Sequence, residues 1–308
     1  MNKKKILAFI IFSYSSFLYS SESDAKITKL PPTKPPATYV KPPDGKKYVI
    51  GSWYFGFFSN FFCALNHLMW CDEHDKIPVI YWNNISTYYQ QGGYNGSTNV
   101  WEYYFEPVSP LAYNAQDKIY NYYWNPDNTG FYYDMLDDGS RMKAQSIIKK
   151  HIKIKPSIQK KIDTFYNEKI AGKLTVGIHI RGTDKILEEE SVSLQEVIQY
   201  SKKFNKKKFQ FLIASEDSSV FEYLKKHIDA PVIFYNSFRT TSTQLAWWQY
   251  LPNKAQLGEE VLIEVQLLSR CNFLIHNYSN VSTAALYFNP QMPHKLFQSG
   301  AVKAHCID

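Results

Sequence analysis

Ten residues near the middle of the chain, Val176 to Lys185 (VGIHIRGTDK), constrain the fold more than any other stretch. Val176, Ile178 and Ile180 alternate with Gly177 and His179 as they would along a short β-strand. The strand then runs into a polar turn of Arg181, Gly182, Thr183, Asp184 and Lys185. Open α/β sheets bind ligands in the crevice outside the carboxyl ends of their strands. Residues of these types, delivered there together, suit a phosphorylated ligand. Arg181 offers a planar fork that meets phosphate oxygens two at a time and keeps its charge at any working pH. Lys185 adds a compact cation able to neutralise a leaving diphosphate. Gly182 allows close backbone approach. His179 can bond a sugar or base, and Asp184 can orient Arg181 or accept from a hydroxyl. The same string also fits an ordinary strand end with surface charges, so the flanking sequence decides between the two readings.

A second block, residues 258 to 290, reads as helix, strand, polar turn and helix. Val261, Val265 and Leu268 fall at helical spacing, and Phe273, Leu274 and Ile275 form a short buried strand. The turn from His276 to Ser282 can cap the following helix through Ser279, Asn280 or Ser282. A helix amino terminus presents free N–H groups and a favourable dipole to an anion. Between the blocks, Phe211 to Ala214 reads as a strand entering a helix capped by Ser215 or Asp217. The amino-terminal half opens with a strand at Tyr48 to Gly51, a turn from Gly56 to Asn60, a helix through Phe61, Leu65, Leu68 and Met69, and a strand at Ile77 to Trp82. That order is a βαβ unit. Both halves therefore predict an α/β protein.

At 308 residues the chain has room for two domains of about 120 to 140 residues each. Met1 to Lys5 followed by the apolar run Ile6 to Leu18 reads as a secretory signal, or as an uncleaved anchor that would be the only membrane contact. The expected organisation is a signal peptide over 1–21, a proline-rich linker over 22–46, a first α/β domain over 47–165 that holds the aromatic-rich insertion and a second α/β domain over 166–308. Of the net charge of +7, three lysines belong to the signal, and no basic aromatic stripe suggests nucleic acid. The four cysteines lack metal-type spacing, Cys63 and Cys71 sit too far apart on one helix to bond, and a Cys271–Cys306 bridge is open. Residues 84 to 140 are crowded with aromatics, among them Trp101, Tyr103, Tyr104, Tyr122, Tyr123, Trp124, Tyr132 and Tyr133. They suit either a cleft for sugar faces or an aromatic core with polar tips.

HIRGTDK resembles the H-x-R-R-T-D-K stretch of the α1,6-fucosyltransferases and the related nodulation fucosyltransferases. More loosely it is similar to the H-x-R-x-x-D signature shared with α1,2- and protein O-fucosyltransferases. Gly182 departs from the pattern, where the α1,6 family has a second arginine. The resemblance implies a GT-B architecture, two Rossmann-like domains facing a cleft, and transfer of fucose from GDP-fucose with inversion and without a metal. It places Arg181 and Lys185 on the diphosphate, His179 and Glu264 on the nucleoside, and the turn Tyr278, Ser279 and Asn280 beside the phosphates. Gly56 and Asn60 fall near the diphosphate. Glu189, four residues after the motif lysine, matches the proposed base, with Asp184 as the alternative. The acceptor is a glycan or glycoprotein. Two rival readings remain open: a non-catalytic glycan-binding protein on a degenerate scaffold, and a glycosyltransferase using another nucleotide sugar. Nucleotide sugars are made in the cytoplasm, so an exported enzyme of this kind would work inside a host or a Golgi-like lumen.

Overall fold

In the computed structural model, residues 45–121, 123–132, 134–182, 192–241 and 253–298 are described. The first sheet is built from β1 (Lys47–Ile50), β2 (Ile77–Ile80) and β3 (Ile119–Tyr120), in the order β2-β1-β3 and parallel throughout. Pro78 lies on β2, an edge strand, where its missing N–H costs no ladder bond. The helix α1 (Phe57–Glu73) connects β1 to β2. Phe57, Phe58, Phe61, Phe62, Leu65 and Leu68 are all buried, so the helix is wrapped on nearly every side.

The second sheet contains β4 (Leu174–His179), β5 (Phe209–Ala214), β6 (Val232–Ile233), β7 (Phe273–His276) and β8 (His294–Leu296). Their order is β6-β5-β4-β7-β8, again all parallel. The alternation read at 176–180 is not a one-sided strand: every residue from Thr175 to Ile180 is buried. Layers cover both faces of this sheet, which is the usual condition of parallel sheets. On one side, Val176, Ile178, Phe211 and Ile213 pack with α4 (Leu194–Ser201) and α5 (Ser218–His227). On the other, Leu212 and Leu274 join α6 (Lys254–Leu268) and α7 (Asn280–Phe288) in a larger cluster that continues to α1. The seam between α1 and α7 is aromatic, with Phe62 against Tyr287 at 5.3 Å and Phe61 against Phe288 at 5.9 Å. Two further helices, α2 (Asp138–His151) and α3 (Pro156–Phe165), connect the sheets.

The aromatic segment from 84 to 140 supplies core at its centre. Trp101, Tyr103 and Tyr104 are fully buried. Their polar tips are satisfied internally: Trp101 Nε1 donates to Glu106 O at 3.2 Å, Tyr103 to Gln90 O at 3.2 Å, and Tyr104 to Ala255 O at 3.0 Å. For these three residues the structure selects the polar-tipped core over the open cleft. Tyr123, Trp124 and Tyr132 are half-buried, while Tyr122 and Tyr133 lie outside the described residues. Cys63, Cys71 and Cys271 are buried, and the Cys271–Cys306 bridge falls on Cys306, which is outside the described residues. The leader and all but the last two residues of the linker are outside them too. Among the described residues, no helix is long and apolar enough to cross a membrane.

Candidate active site

Chain order reverses between β4 and its neighbours: β5 and β6 lie to one side, β7 and β8 to the other. The carboxyl ends of β4 and β7 therefore frame a topological switch point, where open α/β sheets place their ligands. A cavity of about 830 Å³, counting its open mouth, sits there. Its walls come from both halves of the chain: Gly56 to Ser59 at the start of α1, Tyr88, then His179, Arg181, Glu216, Phe238, Glu264 and Ser279 to Val281. Two helix amino termini, those of α1 and α7, thus open on one space.

The backbone of Arg181 is fixed by a reciprocal amide clamp. Its N–H donates to Asn277 Oδ1 at 2.9 Å, and Asn277 Nδ2 returns a bond to its carbonyl at 3.0 Å. The guanidinium lies 4.0 Å from Glu216 on the cavity wall. Behind it, His179 is buried among apolar strands, and burial lowers its pKa to about 4. The imidazole is therefore neutral. Nδ1 is 3.0 Å from Ala214 O, a pure acceptor, so Nδ1 carries the proton. Nε2 then accepts from the Ser279 hydroxyl at 3.3 Å. Ser279 in turn caps α7, accepting from Val281 N at 3.2 Å. His179 lines the cavity, but both its nitrogens are engaged, Nδ1 with the end of β5 and Nε2 with the residue that caps α7.

Glu264 carries the second electrostatic feature. Its side chain is 11 % exposed, and loss of water raises its pKa to about 7. Ser237 Oγ donates to it at 2.6 Å and Arg239 lies at 3.6 Å, both opposing that rise. Glu216 and Glu260, which add negative charge nearby, reinforce it. Glu260 sits one helical turn earlier, accepting from Phe238 N at 2.8 Å and Gln256 Nε2 at 2.8 Å. Arg239 is itself anchored, its guanidinium 4.0 Å from the Phe221 ring.

Of the residues singled out in the sequence, Gly56, His179, Arg181, Glu264, Ser279 and Asn280 all line this cavity. Asn280 Oδ1 is buried without a hydrogen-bond partner in the structure. Asn60 and Tyr278 do not line it. Asn60 is buried beneath the loop before α1, bonding Trp53 and Phe55, and the Tyr278 hydroxyl accepts from Gln298 at 2.9 Å. Asp184, Lys185 and Glu189 lie outside the described residues. Sequence reading missed Tyr88, Glu216, Glu260 and the segment Ser237 to Arg239. Only Glu260 left a readable signal, four residues before Glu264 on one helix face. Among the described residues, no group of three His, Cys, Asp or Glu side chains is placed to hold a metal ion.

Residues 140–292 match the family described as nodulation protein Z (NodZ). NodZ α1,6-fucosyltransferase co-crystallised with GDP superposes with a TM-score of 0.52 at 16 % identity, covering 82 % of this chain and 94 % of that one. The selenomethionine form of fucosyltransferase NodZ from Bradyrhizobium gives the same values. The NodZ crystal soaked with GDP-fucose gives a TM-score of 0.50 at 16 % identity over 79 % and 92 %. The chain is a member of the GT-B fucosyltransferase-like superfamily. This places it among the glycosyltransferases. No curated protein matches the sequence significantly. Within this superfamily member the NodZ match spans both sequence blocks, and the parallel sheets and the cavity between them have the expected α/β class.

Proposed function

We propose that this glycosyltransferase moves fucose from GDP-fucose to a hydroxyl of a glycan or glycoprotein, with inversion and without a metal. The observation that carries the donor assignment is a buried carboxyl group, Glu264, in a cavity that also holds Arg181 and the amino terminus of α7. Guanine presents two adjacent donors, N1–H and the 2-amino group, which a single carboxylate accepts together. Uracil offers one N–H flanked by two carbonyls, a poorer match to Glu264. Ser279, Asn280 and the free N–H groups of α7 suit the diphosphate, with Arg181 neutralising charge as GDP leaves. His179 keeps Ser279 in the orientation that caps the helix. Gly56 brings the start of α1 to the same phosphates, and Asn60 supports the loop that leads into it.

Inversion requires a base that takes the acceptor proton while GDP departs. Glu189 is assigned that role and Asp184 the alternative. Lys185 is assigned to the leaving diphosphate beside Arg181. The amino-terminal leader is assigned to export, which puts the enzyme in a lumen or a host compartment that supplies the donor.

Calorimetric titration with GDP, UDP and GDP-fucose tests the reading. Saturable GDP binding, abolished in Arg181→Ala and absent for UDP, is the expected result. A folded protein that binds no nucleotide would leave the degenerate glycan-binding scaffold as the better account. UDP binding in place of GDP would move the donor to another class.

A further inference from the structure

Three aromatic residues, Trp53, Tyr54 and Phe55, lie between β1 and the start of α1, directly before Gly56 at the cavity wall. Tyr54 is 55 % exposed and Phe55 39 %, while Trp53 is half-buried beside them. Their rings are contiguous, with centroids 5.2 Å apart for Tyr54 and Phe55 and 6.0 and 6.1 Å from Trp53. The backbone beneath is pinned by the buried amide of Asn60. Its Oδ1 accepts from Trp53 N at 2.8 Å, and its Nδ2 donates to Trp53 O and Phe55 O, each at 3.0 Å. Solvent-facing aromatics held this firmly can meet a ligand with little ordering cost.

We propose that Trp53, Tyr54 and Phe55 form a platform on which a neutral pyranose ring of a glycan acceptor stacks. This deepens the fucosyl-transfer reading and rests on it for the word acceptor. Charge selects the class of occupant: from Tyr48 to Cys71 the sequence contains no Asp, Glu, Lys or Arg. An acidic peptide or an anionic headgroup finds no charged side chain to pair with on this segment. An equatorially substituted pyranose presents a face of C–H bonds that fits an aromatic ring, with hydroxyls left at the edge. Continuity selects the role, since Phe55 and Gly56 are one Cα step apart, about 3.8 Å. A sugar on the platform would hold its neighbour's hydroxyl at the cavity mouth. Two exposed side chains are far short of the roughly 800 Å² per partner typical of a stable dimer. The buried aromatics of the 84–140 segment do not compete for the role.

The test titrates cellotetraose and chitotetraose into the full chain saturated with GDP, for the wild type and for Tyr54→Ala/Phe55→Ala. Saturable binding of at least one sugar, weakened about tenfold or more in the double variant, is expected from the loss of aromatic contacts. GDP affinity stays unchanged, because neither side chain lines the cavity. Phe55→Trp, which keeps an aromatic face, retains sugar binding and guards against a folding artefact. Neither sugar binding to the wild type, or equal binding to both forms, overturns the platform. So does a dimer seen by sedimentation in the wild type and lost in the double variant, which would make a second copy the occupant. GDP silence with platform-dependent sugar binding sinks the transferase reading and leaves the platform standing as a glycan site.

Discussion

A carboxyl group as deeply buried as Glu264 loses most of its water, and Ser237 and Arg239 repair only part of that loss. With a pKa raised from 4.5 to about 7, it costs the unliganded fold stability as pH rises. The sign follows from linkage: the contribution is fully present below pH 4.5 and is lost as pH climbs through 7. Glu264→Gln should therefore gain stability over the wild type at pH 8 and none at pH 4, as read from urea midpoints. Guanine bound as proposed would reverse the balance, because its two donors favour the ionised carboxylate. At pH 7 the wild type should release about half a proton from this group on taking up GDP. Calorimetry in buffers of different ionisation enthalpy reads that release against Glu264→Gln, and equal slopes for the two proteins would reject Glu264 as the guanine acceptor. His179 works in the opposite sense. Its pKa falls from 6.5 to about 4, so its contribution is complete above pH 6.5 and is lost as pH drops through 4. His276, paired with His294 at 2.9 Å and lowered to about 3, adds to the same acid loss. In Glu264→Gln, where the opposing carboxyl contribution is gone, urea midpoints should fall steadily from pH 6.5 towards 4, and a flat profile there would mean that neither imidazole is buried neutral.

At the level of elements, Gly182 shows how a departure from a motif can be a packing requirement. A Cβ placed there would overlap the carboxylate of Asp217. Asp217 is needed where it is, because it caps α5 by accepting from Ser219 N at 2.8 Å and Val220 N at 3.2 Å. The second arginine of the α1,6 family has no room at this position unless Asp217 changes as well. Gly182→Ala should lower stability by about 1–3 kcal/mol through overpacking. Adding Asp217→Ser, a shorter residue that can still cap, should recover part of that loss in thermal melts. If the two substitutions simply add, the clash is not the cause. Strand and helix order were legible in the sequence because β4, β5 and β7 are compact apolar runs closed by polar turns. Ser279 was legible as a cap because a Ser/Asn turn precedes an apolar helix. The Ser237 to Arg239 segment was not, since it follows a two-residue strand and owes its place to Glu260 and Glu264 on another element. Nor was the burial of Trp101, Tyr103 and Tyr104: aromatic clusters look alike in sequence whether they face solvent or a helix such as α6.

Across the whole molecule, one apolar cluster ties the two sheets together. Phe58, Phe61 and Trp101 from the first half share it with Leu262, Leu268 and Tyr287 from the second. Glu259 on α6 adds polar ties, accepting from Tyr94 at 2.9 Å and pairing with Lys161. The halves also meet closely at Gly258, where a Cβ would overlap the Tyr104 hydroxyl. Both halves should therefore unfold in a single thermal transition, and Gly258→Ala should lower its midpoint, costing about 1–3 kcal/mol. Since the cavity is walled by α1 on one side and by β4, α6 and α7 on the other, a ligand in it bridges the halves instead of stabilising one alone. GDP at a hundredfold excess over its Kd stabilises a fold by about 2.7 kcal/mol, which for a chain of this size is roughly 5–10 °C. Calorimetric scans should show that shift applied to the whole transition, with the Gly258→Ala protein shifted by less if the helix seam sets the cavity's shape. A melt that splits in two, with GDP moving only the later or only the earlier peak, would mean that the halves fold independently and that the nucleotide is held by one of them.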